Sequence, residues 1–185
     1  MEQAKVNLTD PLKANQIDFR VQSIKKGGYA TILAYKDARV DQQRLDDAVG
    51  CLGWQRRHTN GNHNCIVSIW CDLKSEWVQK EDTGTESNTE AAKGLASDSF
   101  KRACFNWGIG RELYDYPVIS IKLKDDEWQL IDNKPRQTYK LKLKEWHWYS
   151  EFADNKLVWL AAKDTAGAIR FQWGNRKPKE EDKTA

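Results

Sequence analysis

Lys80-Glu81-Asp82-Thr83-Gly84-Thr85-Glu86-Ser87-Asn88-Thr89-Glu90 runs into the stretch from Ala91 to Trp107, and then into Gly108-Ile109-Gly110-Arg111. Ser87 lies three residues before Glu90, the spacing at which a hydroxyl and a carboxylate reciprocally satisfy the free amide donors of a helix start. Gly108 follows the last apolar position and, having no side chain to clash, suits the left-handed backbone that closes a helix. The spacing predicts one helix over residues 88–107. At about 100° of rotation per residue, Ala92, Leu95, Ala96, Ser99, Phe100, Ala103 and Trp107 share one side, while Gly94, Asp98, Lys101 and Phe105 fall opposite. A cation and an aromatic therefore occupy the outward face.

Upstream, Phe19, Val21 and Ser23, then Tyr29, Thr31, Leu33 and Tyr35, alternate around Lys26-Gly27-Gly28 and read as a hairpin. Asp37 is placed to cap a helix running to Gly50, with Ala38, Leu45, Ala48 and Val49 inward and Arg39 and Gln43 elsewhere. Trp54 to Thr59, His63 to Asp72 and Glu76 to Asp82 read as three strands joined at Asn60-Gly61-Asn62 and Lys74-Ser75. After Pro117, Val118 to Leu123, Trp128 to Ile131, Gln137 to Trp148, Leu157 to Ala162 and Ala168 to Trp173 carry β-favouring residues. The expected fold is α+β: an antiparallel sheet, made of the hairpin and a three-strand meander, packed by a long central helix and followed by a β-rich C-terminal extension. The expected division is a core over residues 1–117, a β-rich element over 118–175 and a disordered charged tail over 176–185.

The chain has 185 residues, which fits one domain or one domain with an appendage. Its apolar share is only 39%, but nine Trp offset this because each ring buries much area. A net charge of +3 neither demands nor excludes nucleic acid, so the distribution of charge must decide. Cys51, Cys65, Cys71 and Cys104 form no C-x-x-C pair, and no apolar signal segment opens the chain. Reduced thiols in a soluble cytoplasmic protein with no membrane span are the expectation.

The order of Lys80-Glu81-Asp82, an acidic Ser/Thr-rich turn, Glu90-Ala91-Ala92-Lys93-Gly94, Ser97-Asp98-Ser99-Phe100-Lys101-Arg102-Ala103 and Trp107-Gly108-Ile109-Gly110-Arg111 with Leu113-Tyr114 resembles the Rad52/Rad22 family of DNA single-strand annealing proteins, especially its short phage branch. Tyr35-Lys36-Asp37-Ala38-Arg39, Arg44-Leu45-Asp46, Gly50 and Trp54-Gln55 are similar to the family's first helix and following strand. The resemblance covers roughly residues 17–117. It implies ATP-independent annealing of complementary single strands in recombination and repair, by a ring or filament of identical subunits in the cytoplasm, that of the bacterial host if the chain is phage-encoded. A single-strand DNA-binding protein of phage or host is a further partner that it allows. No cofactor, metal or catalytic site is implied.

Carried over by motif, Lys101, Arg102 and Arg39 line the groove that holds the phosphates. Lys93, Phe105 and Arg111 complete the candidate set. Where better-known members have a basic residue four after the Lys, this chain has Phe105, which removes one charge. Phe105 can stack on a base, or pack on a neighbouring subunit or under the Gly108-Ile109-Gly110 turn; Arg111 can supply the missing charge. Read without the resemblance, a Lys on an outer helix face is simply solvated, and Asp98 at four residues' distance absorbs Arg102.

Lys122, Lys124, Lys140, Lys142 and Lys144 alternate, with Trp146 and Trp148 in the same parity. A basic face with aromatics is the composition of a single-strand platform, although Lys also guards sheet edges and Trp is more often core. His58, His63, Cys65 and Cys71 lack the spacing of a zinc knuckle or finger. Lys80, Glu81 and Asp82 lack the second acidic position that a metal nuclease needs, and no G-x-x-x-x-G-K-[ST] loop is present for nucleotide hydrolysis. The alternatives to annealing are single-strand binding without annealing and, further off, a metal-dependent nuclease.

Overall fold

The structure is a computed structural model that describes residues 7–85 and 91–176, without the side chains of 91–93. The Ser87-to-Glu90 capping box and the tail from residue 177 lie outside the described residues. In chain order the elements are β1 (Asp18–Lys25), β2 (Tyr29–Tyr35), α1 (Ala38–Val49), β3 (Trp54–Thr59), β4 (Asn64–Cys71), β5 (Glu76–Thr83), α2 (Ala91–Asn106), β6 (Ile119–Lys122), β7 (Trp128–Ile131), β8 (Lys134–Gln137), β9 (His147–Ala153), β10 (Lys156–Lys163) and β11 (Ile169–Gly174). They divide into two compact units, one built from Met1–Leu12 and Lys36–Arg111, the other from Lys13–Tyr35 and Glu112–Ala185.

In the first unit, β3, β4 and β5 form an antiparallel meander in which Arg56, Val67 and Lys80 share one register row and His58, Cys65 and Asp82 the next row on the same face. Period-2 alternation sends Cys65, Val67 and Ile69 to one face, where they are buried with Phe100, Ala103 and Cys104 of α2, Leu45 of α1 and Ile109. Full burial of each larger aliphatic or aromatic side chain contributes about 1.5–3 kcal/mol. Asp37 caps α1 by accepting from the Arg39 amide at 2.8 Å. The end of α2 follows from Gly108: at φ 100° it lets its own N–H reach the Phe105 carbonyl at 2.9 Å and that of Ile109 reach Cys104 at 3.2 Å. This paired closure buries Ile109 against the residue whose carbonyl it bonds.

In the second unit, β1, β2 and β6 form one antiparallel sheet, β9, β10 and β11 another, and β7 with β8 a ribbon. Ala30 of β2 pairs with Ile24 on one side and Ile121 on the other. Ile32, Ile119 and Ile121 are buried, as are Leu157, Leu160 and Ala162 of β10. Phe19 stacks on Trp148 with ring centroids 3.6 Å apart. Arg170 is buried between Glu127 at 2.7 Å and Asp164 at 3.2 Å. Burial is the largest single effect on Glu127 and opposes its ionisation, yet the bond to Arg170, the bond from the Lys124 amide and the charges of both cations together hold the carboxyl below the ordinary range.

The α+β class and antiparallel pairing agree with the sequence reading, but the sheet arrangement differs. Among the described residues four small sheets replace the single sheet, because β2 pairs with β6 and the hairpin and the meander belong to separate sheets. The helix α2 contacts β4 and β5 of one three-stranded sheet, so it is not a long helix central to the whole strand set. Nor do residues 137–148 form a strand. Thr138 donates from its hydroxyl to the Asp126 carbonyl at 2.6 Å and from its amide to Glu127 at 2.9 Å, which turns the chain after β8. A 3-10 turn at Leu143–Glu145 then buries Leu143 before β9 begins.

Candidate nucleic-acid interface

The charges of the first unit are distributed by what each side chain meets. Arg39 lies at the start of α1 with its side chain 86% exposed, its Nε 2.9 Å from Asp37 Oδ1. This bond, with the amide bond to the same carboxylate, holds Asp37 below the usual carboxylate range, and Lys101 adds to the effect. Lys101 also acts electrostatically on Asp41. Among the described residues Lys101 has no hydrogen bond or ion pair. Arg39 and Lys101, on different helices, thus both favour the charged form of the same carboxylate.

Arg102 goes elsewhere. Its Nε is 3.2 Å from Asp82 Oδ1 on β5, while Asp98 accepts from the amide of Thr85 at 2.9 Å. The expected helical pair with Asp98 is therefore replaced by a helix-to-strand pair, since Asp82 shares the register row of Cys65 beneath α2. Asn106 also reaches Asp82, at 3.4 Å. Arg111 donates to the carbonyls of Phe105 at 2.7 Å and Asn106 at 2.9 Å, closing the α2 C-terminus, where a cation is electrostatically favoured. The side chain of Lys93 lies outside the described residues.

Phe105 is half-buried, and the Lys36 ammonium stands 4.4 Å from its ring centroid. Lys36 itself is buried and donates to Asp41 Oδ1. Gly110 makes that burial possible, because at φ 74° a Cβ there would lie 2.9 Å from Lys36 Cε. Burial pushes the Asp41 carboxyl up to about 6, against the opposing pull of Lys36. Burial, with Asp41 beside it, likewise raises the Cys104 thiol well above its ordinary value. The stretch from Lys36 to Phe105 is thus a buried ion pair under an aromatic ring.

Sequence reasoning missed three cations here. Lys36 precedes a helix cap, and its partners at Asp41 and Gly110 are visible only in three dimensions. Lys80 donates to the Asn106 carbonyl at 2.6 Å and lies 4.5 Å from the Trp107 ring, and the Arg56 guanidinium lies 4.8 Å from the Phe100 ring. Strand alternation from Cys65 and Val67 would have put both Arg56 and Lys80 on the helix-facing side.

The nitrogen and sulfur side chains do not converge. His58 Nδ1 meets Ser99 Oγ at 3.4 Å, burial pushes the Cys65 thiol up to about 11, and no three His, Cys, Asp or Glu side chains group together among the described residues. Of the alternating lysines, Lys122 donates to the Gly27 carbonyl and Lys124 pairs with Asp164 at 3.0 Å. No helix among the described residues is long and apolar enough to cross a membrane.

Comparison with known proteins bears on this arrangement. Residues 68–129, from β4 into β7, match the model of the Rad52/22 family double-strand break repair protein. The chain is 38% identical over 90 residues to the single-stranded DNA-binding protein DdrA of Deinococcus radiodurans, covering 48% of this chain and 43% of that protein. It is 34% identical over 113 residues to the protein of the same name from Deinococcus deserti, covering 60% of this chain and 56% of that one. The chain thus spans about half the length of these curated relatives. No solved structure matches it. The segment that carries Asp82, Lys101, Arg102, Phe105 and Gly108 is thus the part of this chain that is similar to the Rad52/22 family of double-strand break repair proteins.

Proposed function

We propose that the chain binds single-stranded DNA in repair or recombination and anneals complementary strands without nucleotide hydrolysis. The observation that carries the reading is that Arg39 is 86% exposed at the start of α1 and that Lys101 on α2, which acts on the same Asp37 carboxylate, has no ion pair among the described residues. Both relatives bear the name of single-stranded DNA-binding proteins. Phosphates held by Arg39 and Lys101 leave bases free to meet a second strand, and base complementarity then supplies the specificity. Arg102, Arg111 and Lys93 extend the basic set. Phe105, braced by Lys36, presents a ring on which a base can stack. A unit of this size spans few nucleotides, so continuous binding calls for joined copies. An annealing protein of the short phage type, working as a ring or filament, is the finer form of this proposal and rests on the sequence resemblance.

Salt titration of oligonucleotide binding tests the placement. For single strands the slope of log affinity against log salt becomes shallower by about 0.7 for each phosphate that the protein ceases to neutralise. Lys101→Ala and Arg39→Ala should each show that change. Arg57→Ala, whose neighbours Arg56 and His58 have the helix-facing parity of β3, should leave the slope unchanged. Equal slopes for all three variants would put the groove on the wrong face. Mixing complementary strands without ATP separates the activities: protection without duplex formation means binding alone, and magnesium-dependent shortening means a nuclease.

A further inference from the structure

We infer that the second unit carries a separate single-stranded DNA site, built on an aromatic floor with a basic rim. Two cavities, of about 540 Å³ and about 310 Å³, share Phe19, Leu143 and Lys144 in their walls and so form one continuous groove. That volume lies in the range of sites that hold flat, ring-sized ligands. Along the larger cavity run Phe19, Tyr35, Trp148 and Tyr149, with Phe19 and Trp148 stacked only 5° from parallel. Stacked rings make a flat, stiff surface on which bases of any sequence can lie.

The rim carries the complementary charge. Arg20, Lys142 and Lys144 line the smaller cavity, where Glu145 is the one carboxylate and stands 3.7 Å from Lys142. Asp18 lines the larger cavity, so the groove as a whole keeps a cationic excess. Lys144 borders both cavities and has no ion pair among the described residues. Tyr139 is 80% exposed at the edge, with Lys140 Nζ 5.7 Å from its ring. Cations spaced along aromatic rings match a strand that alternates phosphate and base.

This site goes beyond the proposed function and uses none of its residues, so the two can fail separately. The test is photo-crosslinking of a 5-iodouracil-substituted oligo(dT) to the full chain, followed by peptide mapping, in natural and Lys101→Ala/Arg39→Ala backgrounds. Crosslinks to residues 18–35 or 137–149 should persist in the double variant. Tyr139→Ala should weaken binding read at those peptides about 5- to 100-fold. Lys144→Glu should lower the same crosslinks while sparing any on α1 and α2. Tyr139 and Lys144 are exposed, and an unchanged circular dichroism spectrum checks that the fold survives. Absence of crosslinks from both segments at saturating oligonucleotide, or indifference to both substitutions, would overturn the site. Absence of crosslinks on α1 and α2 in the natural chain, with those of the second unit present, would instead strike the reading of the first unit.

Discussion

Replacing Lys36 by Met should destabilise the first unit in a way that depends on pH. The Lys36 side chain is 1% exposed and that of Asp41 is 0% exposed, so Met preserves most of the packing while leaving a carboxylate without its ammonium. Removing one partner of a buried pair costs about 3–5 kcal/mol. Burial raises Asp41 from 3.8 to about 6, so its ionisation penalises the folded state; that penalty is full above about pH 6 and gone below the unfolded value. Lys36 pulls the value down, and without it the carboxyl moves higher still. The cost of Lys36→Met should therefore be largest near pH 8 and shrink toward pH 4. Adding Asp41→Leu should recover the loss, since well-packed apolar replacements of buried pairs are neutral or stabilising. Hydrogen exchange at α1 and β4 amides, corrected for the intrinsic rate at each pH, reads the first unit alone. A cost under about 1 kcal/mol, a cost equal at both pH values, or a double variant worse than the single one would refute the reasoning.

Gly110→Ala should also loosen the first unit, by about 1 kcal/mol or more, because a side chain at φ 74° is strained and its Cβ meets Lys36; the same exchange measurement checks it, and wild-type protection would contradict it. In the second unit, the hydrogen bond from Lys124 leads the effects that hold Asp164 down to about 2. Its contribution is present above the unfolded value of 3.8 and is lost as pH falls toward 2. Asp164→Asn should be less stable than the natural chain at pH 6, with the gap narrowing toward pH 2 when β10 amides are followed by exchange. A gap that stays constant would mean that Asp164 acts through shape alone.

Local chemistry was legible where it is decided within a few residues. Gly108 announced the closure of α2, Asp37 the start of α1, and alternation the strands β3 to β5. Pairing over distance was not. Nothing near Ala30 says that Ile121 will lie beside it, because that choice depends on which apolar faces remain open after the other strands have paired. Helical spacing offered Asp98 to Arg102, but the neighbouring strand offers Asp82 and the turn before α2 takes Asp98 for Thr85. The alternation from Lys140 to Trp148 read as one strand face, but these residues lie on turns and the start of β9, with Lys140, Lys142 and Lys144 exposed and Trp146 buried. Leu141, Leu143 and Trp146 are buried at uneven spacing, which no single period captures.

Pairing β2 with β6 sets an order of events during synthesis. The hairpin of β1 and β2 leaves the ribosome before α1, the meander and α2, and only afterwards does β6 arrive to bond Tyr29 through Ile32. At about 5–20 residues per second that interval lasts several seconds. Throughout it β2 offers an open row of amides and carbonyls flanked by Tyr29, Ala30 and Ile32, a template for any other extended chain nearby. Nascent chains stalled before β6 would carry that sticky edge indefinitely.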